Sequence, residues 1–229
     1  MYYYGFDWTY VVIVLPVMVL ALVAQVKVRS TFKKYSQIAS DGGMTGADAA
    51  RMVLDSYGVT GVQIVPVAGE LTDHFDPKDN VIRLSEPVYN ARTAAAVGVA
   101  AHEAGHAAQY AENYVPMQIR SAVIPATKVG STLSLPLIIL GMIFSISALS
   151  FIGVILFGFT VLFQLVTLPV EFNASRRAVA ALGSSGRVSQ EGVKSAKKVL
   201  TAAALTYVAA LATALANMVR LMILIRRRD

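Results

Sequence analysis

The chain has 229 residues, of which 55% are apolar and only 15% charged, and a mean hydropathy of +0.57. Water-soluble domains usually hold about 45–50% apolar and about 25% charged residues, so an ordinary soluble enzyme and a disordered chain are both excluded. The net charge is +6 and there is no cysteine, which removes any disulfide framework, cysteine nucleophile or thiolate metal site. The basic residues sit at the ends of apolar runs, as Lys27, Arg29, Lys33 and Lys34 do, and Lys194, Lys197 and Lys198. That placement fits a lipid bilayer with anionic headgroups, and no nucleic-acid partner is expected.

From Trp8 to Val26 no residue is charged, and these 19 residues are long enough to cross a bilayer. The preceding run MYYYGFD carries no Lys or Arg, so an uncleaved anchor over 1–28 is expected, with aromatic residues at the interface. The basic cluster that follows puts the N-terminus outside and residues 27 onward in the cytoplasm.

Residues 29–128 form the expected water-facing domain; between 27 and 128 there are ten basic and ten acidic residues. Thr45 and Asp48 have capping-box spacing, opening a helix that should end near Tyr57-Gly58. Two β-like runs follow, Val62–Val67 and Asn80–Ser85, separated by the turn-rich stretch 68–77. A helix is expected over Asn90–Ala111. From Val129 to Val170 there are 42 uncharged residues, enough for a transmembrane hairpin turning near Ser145–Ser150, with Pro169 closing it. Residues 171–198 are polar and basic. Residues 199–229 form a last apolar helix, whose terminal Arg226-Arg-Arg228 conflicts with a fourth crossing from inside to outside. Part of it, roughly 194–212, can instead pack on the water-facing domain.

The chemistry is concentrated in His102-Glu103-Ala104-Gly105-His106. At about 100° per residue, histidines four apart lie about 40° apart on one helix face, where two imidazoles can hold one Zn²⁺. Glu103 is turned aside from both, so it stands beside the metal as a general base and then a general acid. Small Gly105 lets another element come close. Chance alone produces this motif in roughly one chain in a hundred of this length, so the setting matters. His102 and His106 are two of only three histidines. They lie on an expected helix in the polar region.

The runs His74-Phe-Asp-Pro77, Val81-Ile-Arg-Leu-Ser-Glu-Pro-Val-Tyr89, Ala95 through Ala107 and Leu168-Pro-Val-Glu-Phe-Asn-Ala-Ser-Arg-Arg-Ala178 resemble the YugP-like family of bacterial membrane zinc metallopeptidases. The resemblance spans almost the whole chain. More distantly the chain is similar to the HtpX-like membrane gluzincins, which place a transmembrane hairpin between the zinc helix and a glutamate ligand. That likeness implies a metal set of His102, His106 and Glu171, since Glu171-Phe-Asn-Ala174 matches the gluzincin pattern. The next residue of the pattern, an aspartate, is Ser175 here. Glu171 is also the only acid between Glu112 and Glu191. His74 and then Glu112 are the rival third ligands.

The expected fold is therefore α+β and mostly helical, a zincin-like domain combined with three or four transmembrane helices. The expected activity is hydrolysis of a polypeptide substrate, a membrane or membrane-proximal protein, by a zinc-activated water. The run Val81, Ile82, Arg83 and Leu84 is expected to be an edge strand that binds the peptide by strand addition. Asn173, Tyr110, Arg176 and Arg177 are candidates for stabilising the oxyanion. Two other readings compete: a membrane scaffold or chaperone-like protein with a structural zinc, and an intramembrane protease, which would need a downstream aspartate where only Asp229 is present.

Overall fold

The computed structural model describes residues 8–226; the tyrosine-rich start of the chain and Arg227, Arg228 and Asp229 lie outside the described residues. A π-helical stretch, Tyr10–Val14, leads into α1 (Leu15–Tyr35). Then come α2 (Gly46–Ser56), β1 (Gln63–Val67), β2 (His74–Asp76), β3 (Val81–Ser85), the one-turn α3 (Glu86–Tyr89) and α4 (Ala94–Ala111). Three long helices finish the chain: α5 (Val115–Ile143), α6 (Ser147–Ser184) and α7 (Gln190–Arg226). The architecture is mostly helical α+β. Four helices, Tyr10–Tyr35, α5, α6 and α7, are long and apolar enough to cross a membrane.

Contacts divide the chain into two units. One comprises residues up to 24, 118–168 and 206 onward. Here α5 and α6 form the expected hairpin, turning through Phe144, Ser145 and Ile146, with Ser145 at a positive φ of 56°. Ile138, Val154 and Leu221 form a buried cluster within it. Phe144, Phe151, Ile155 and Leu165 are exposed. Arg220, the one cation in the apolar part of α7, lies over the Tyr10 ring at 5.3 Å.

The other unit comprises residues 25–117 and 169–205. Thr45 and Asp48 make the expected capping box: the Thr45 hydroxyl accepts from the Asp48 N–H, and the Asp48 carboxylate accepts from the Thr45 N–H. The side-chain and backbone bonds from Thr45 hold the Asp48 carboxyl below its ordinary range. α4 starts later than expected, because Thr93 supplies the cap and accepts from the Ala96 N–H. It is the centre of this unit: Ala95, Ala96, Ala100, Ala101, Ala104 and Ala108 are fully buried. α2 packs on it, and so do Ala178 and Leu182 of α6 and Ala196 and Leu200 of α7. Such a run of alanines lets helices approach closely at little entropic cost. The early part of α7 does pack in this unit, as far as Leu205.

Three expectations need correction. The run 81–85 is not an edge: the strand order is β1-β3-β2, with β3 parallel to β1 and antiparallel to β2. The Ser85 N–H, where β2 no longer covers the strand, donates to Asp73. The backbone of Val81, Ile82, Arg83 and Leu84 therefore has no free side for a peptide, and Val81, Ile82 and Leu84 are buried. The turn-rich stretch contains one of the sheet's two edge strands, β2; the other is β1. Pro169 does not close the hairpin either; α6 runs through it to Ser184, as α5 runs through Pro125 and Pro136. Each proline costs its helix one backbone bond, two in α5 and one in α6, and packed neighbours make that tolerable.

Candidate metal centre

α4 carries His102, Glu103 and His106, and α6 carries Glu171. The two helices meet where Gly105 faces Ala174: a Cβ at position 105 would lie 2.5 Å from the Ala174 carbonyl oxygen. No larger residue fits this contact without moving α6. The close approach brings Glu171 Oε2 to 3.2 Å from His102 Nε2 and 3.4 Å from His106 Nε2. One ligand atom from each of the three residues lies within 4.8 Å of the others. The imidazoles stand edge to face, with ring centroids 4.7 Å apart. Glu171 is 3% exposed and His106 8%.

The far side of each imidazole is held as well. Gln109 is fully buried; its amide nitrogen donates to the Val170 carbonyl at 2.8 Å and to Asn173 Oδ1 at 2.9 Å. A carbonyl can only accept, so the amide orientation is fixed. Gln109 Oε1, 3.0 Å from His106 Nδ1, must then accept from that ring nitrogen. The neutral His106 is thereby held with its proton on Nδ1 and its lone pair on Nε2, toward Glu171. Asn173 Oδ1 also accepts from Arg177 Nε at 2.8 Å, and Arg177 pairs with Glu112 at 2.7 Å. That pairing holds the Glu112 carboxyl below its usual range. Ser175 Oγ lies 3.1 Å from His102 Nδ1, on the side of the ring away from Glu171. Burial by itself would make His106 harder to protonate; the hydrogen bond and charge of Glu171, with the charge of Glu103, outweigh it and raise its pKa.

Glu103 lies outside the three-residue cluster. It is 8% exposed, and its Oε2 accepts from the Phe75 N–H of β2 at 3.1 Å. The Phe75 ring packs against Tyr110, centroids 5.8 Å apart.

The rival ligands are elsewhere. His74 is exposed, and its Nδ1 is 2.7 Å from the Thr72 carbonyl. Glu112 is committed to Arg177. Of the four oxyanion candidates, Asn173 and Arg177 are engaged by the bonds above and Arg176 is exposed. Tyr110, one turn beyond His106 on the same face, is half-exposed at 50%. Sequence reasoning missed Gln109, although its place three residues after His106 puts it on the histidine face.

Two imidazole nitrogens and a carboxylate oxygen, with both rings braced from behind, form a donor set suited to Zn²⁺. A family model described as "Putative neutral zinc metallopeptidase" matches residues 10–226. The "Putative membrane protease YugP" of Bacillus subtilis (strain 168) is 45% identical over 207 residues, covering 90% of this chain and 92% of that protein. No solved structure gives a significant match. With the match running through α4 and the four apolar helices, α6 with Glu171 among them, the chain belongs to the family described as "Putative neutral zinc metallopeptidase".

Proposed function

We propose that the chain is a membrane-bound zinc endopeptidase of gluzincin type, with His102, His106 and Glu171 as ligands and Glu103 as the catalytic carboxylate. The observation that carries this reading is the convergence within 4.8 Å of three ligand atoms, two from α4, which also presents Glu103, and one from α6. A zinc bound here supplies Lewis acidity toward the scissile carbonyl and makes water acidic enough to be activated near neutral pH. Glu103 takes the proton from the attacking water and delivers it to the leaving amine. The Phe75 N–H holds the carboxylate for that task through one oxygen, Oε2.

With β3 paired on both sides, β2 is the strand whose outer edge faces the site. A peptide laid along it would bring its own carbonyls to the side on which Phe75 meets Glu103, and the Tyr110 hydroxyl is the candidate for steadying charge on the carbonyl oxygen. The membrane-spanning helices favour a membrane protein, or a segment beside the membrane, as substrate.

A purely structural zinc is ordinarily closed by four protein ligands, whereas three converge here among the described residues. The zinc helix α4 is not among the apolar helices long enough to cross a membrane, which argues against an intramembrane protease.

The test is Glu103→Gln in the purified full chain. Bound zinc should be retained, measured by metal analysis, while cleavage of a membrane-protein substrate falls by about 10²–10⁴-fold or more. Undiminished cleavage by the variant would sink the mechanism.

A further inference from the structure

A cavity of about 500 Å³ lies between α1 and the first turns of α7, apart from the His102, His106 and Glu171 cluster. Its wall carries five lysines, Lys27 and Lys34 from α1 and Lys194, Lys197 and Lys198 from α7. No acid lines it. Among the described residues, Lys194 alone of the five has an ion pair, a loose one of 3.8 Å to exposed Glu191. Thr31 and Thr201 add hydroxyls, and Ala202 and Leu205 add an apolar floor.

Five like charges around one cavity repel one another, and solvent and salt screen that repulsion only in part. An anion inside would relieve it. The position of the cavity along the two helices says which anion. Lys27 directly follows the uncharged run 8–26, and Lys198 directly precedes the uncharged run 199–219. The lysines thus stand where charged helix gives way to apolar helix on both α1 and α7, the level of the headgroups in a bilayer. A ligand with a phosphate at this level and hydrocarbon chains beyond it meets both parts of the wall.

We propose that this cavity is a binding site for an anionic phospholipid, the phosphate held by the five lysines and the acyl chains running along the uncharged parts of α1 and α7. Basic pockets between helices at a membrane surface are suited to such headgroups. The inference is independent of the metal centre, and none of its residues belongs to it.

The test uses the purified full chain in neutral detergent. Retained lipid is counted by native mass spectrometry after titration with phosphatidylglycerol, with phosphatidylcholine, or with inorganic phosphate alone. The variant replaces Lys27, Lys34, Lys197 and Lys198 by Gln; all four are exposed, so helix content by circular dichroism should not change. A control variant replaces Arg29, Lys33, Lys78 and Lys128 by Gln, losing the same charge away from the cavity. Wild type and control should retain phosphatidylglycerol in preference to phosphatidylcholine. The cavity variant should bind it roughly tenfold or more weakly. Equal retention by the cavity variant, equal loss by the control, or a site filled by inorganic phosphate with no lipid retained would each overturn the proposal.

Discussion

Glu171 and His74 differ in what stands around them. Glu171 is buried, between two imidazoles whose opposite nitrogens are braced by Ser175 and Gln109; His74 is exposed and bonded to its own turn. Zinc held by two imidazoles alone is weakly bound, since catalytic sites ordinarily use three protein ligands. Glu171→Ala should therefore lose most bound zinc, and His74→Ala should keep it, as metal analysis of the purified variants will read. The reverse result would make this a three-histidine site. The zinc helix was legible because two histidines four apart report their common face directly. Glu171 was reached only through family resemblance and its isolation among uncharged residues, because whether a residue 65 positions downstream meets the histidines depends on how two helices pack. Gln109 was not found, since an uncharged amide in a helix carries no mark until the carbonyl of Val170 fixes its orientation.

At the scale of elements, the contact between α4 and α6 sets the site. Replacing a helical glycine by alanine ordinarily stabilises a helix by about 1 kcal/mol. At Gly105 the sign should invert, because the new methyl would meet the Ala174 carbonyl at 2.5 Å and push away the helix that carries Glu171. Gly105→Ala is expected to lower the melting temperature and to reduce zinc content together. A stabilised variant with full zinc would show that α4 and α6 do not need this contact. Local elements were legible for local reasons. The Thr45 and Asp48 side chains announce α2, and the uncharged 42-residue run announces the hairpin. Strand order was not, because the partner of a strand is chosen by distant residues. The run 81–85 is buried on both faces, as suits a middle strand, and the three residues of β2 are too few to stand out among turn formers.

At the scale of the whole molecule, the distribution of charge decides which way the apolar helices would cross a membrane. If all four apolar helices cross, the count is even and both ends lie on one side. The basic residues are unevenly shared. Lys27, Arg29, Lys33 and Lys34 follow the first run, and Lys194, Lys197 and Lys198 precede the last; the hairpin turn 144–146 has none. Those seven outweigh Arg226, Arg227 and Arg228 at the far end, and the positive-inside rule then assigns the seven to the cytoplasm. The His102 helix follows them, having no apolar run of its own long enough to cross between Lys34 and α5. The chain has no cysteine, so single cysteines can be labelled without background. In intact cells a cysteine at Ser56 or Ser121 should be shielded from an impermeant thiol reagent. Cysteines at Ser145, and at Tyr3 and Asp229 beyond the described residues, should be labelled. Labelling at Ser56 with protection at Ser145 would put the metal centre outside the cell. Protection at Asp229 with labelling at Ser145 would mean that α7 does not cross, and the three terminal arginines would then obey the same rule as the other seven.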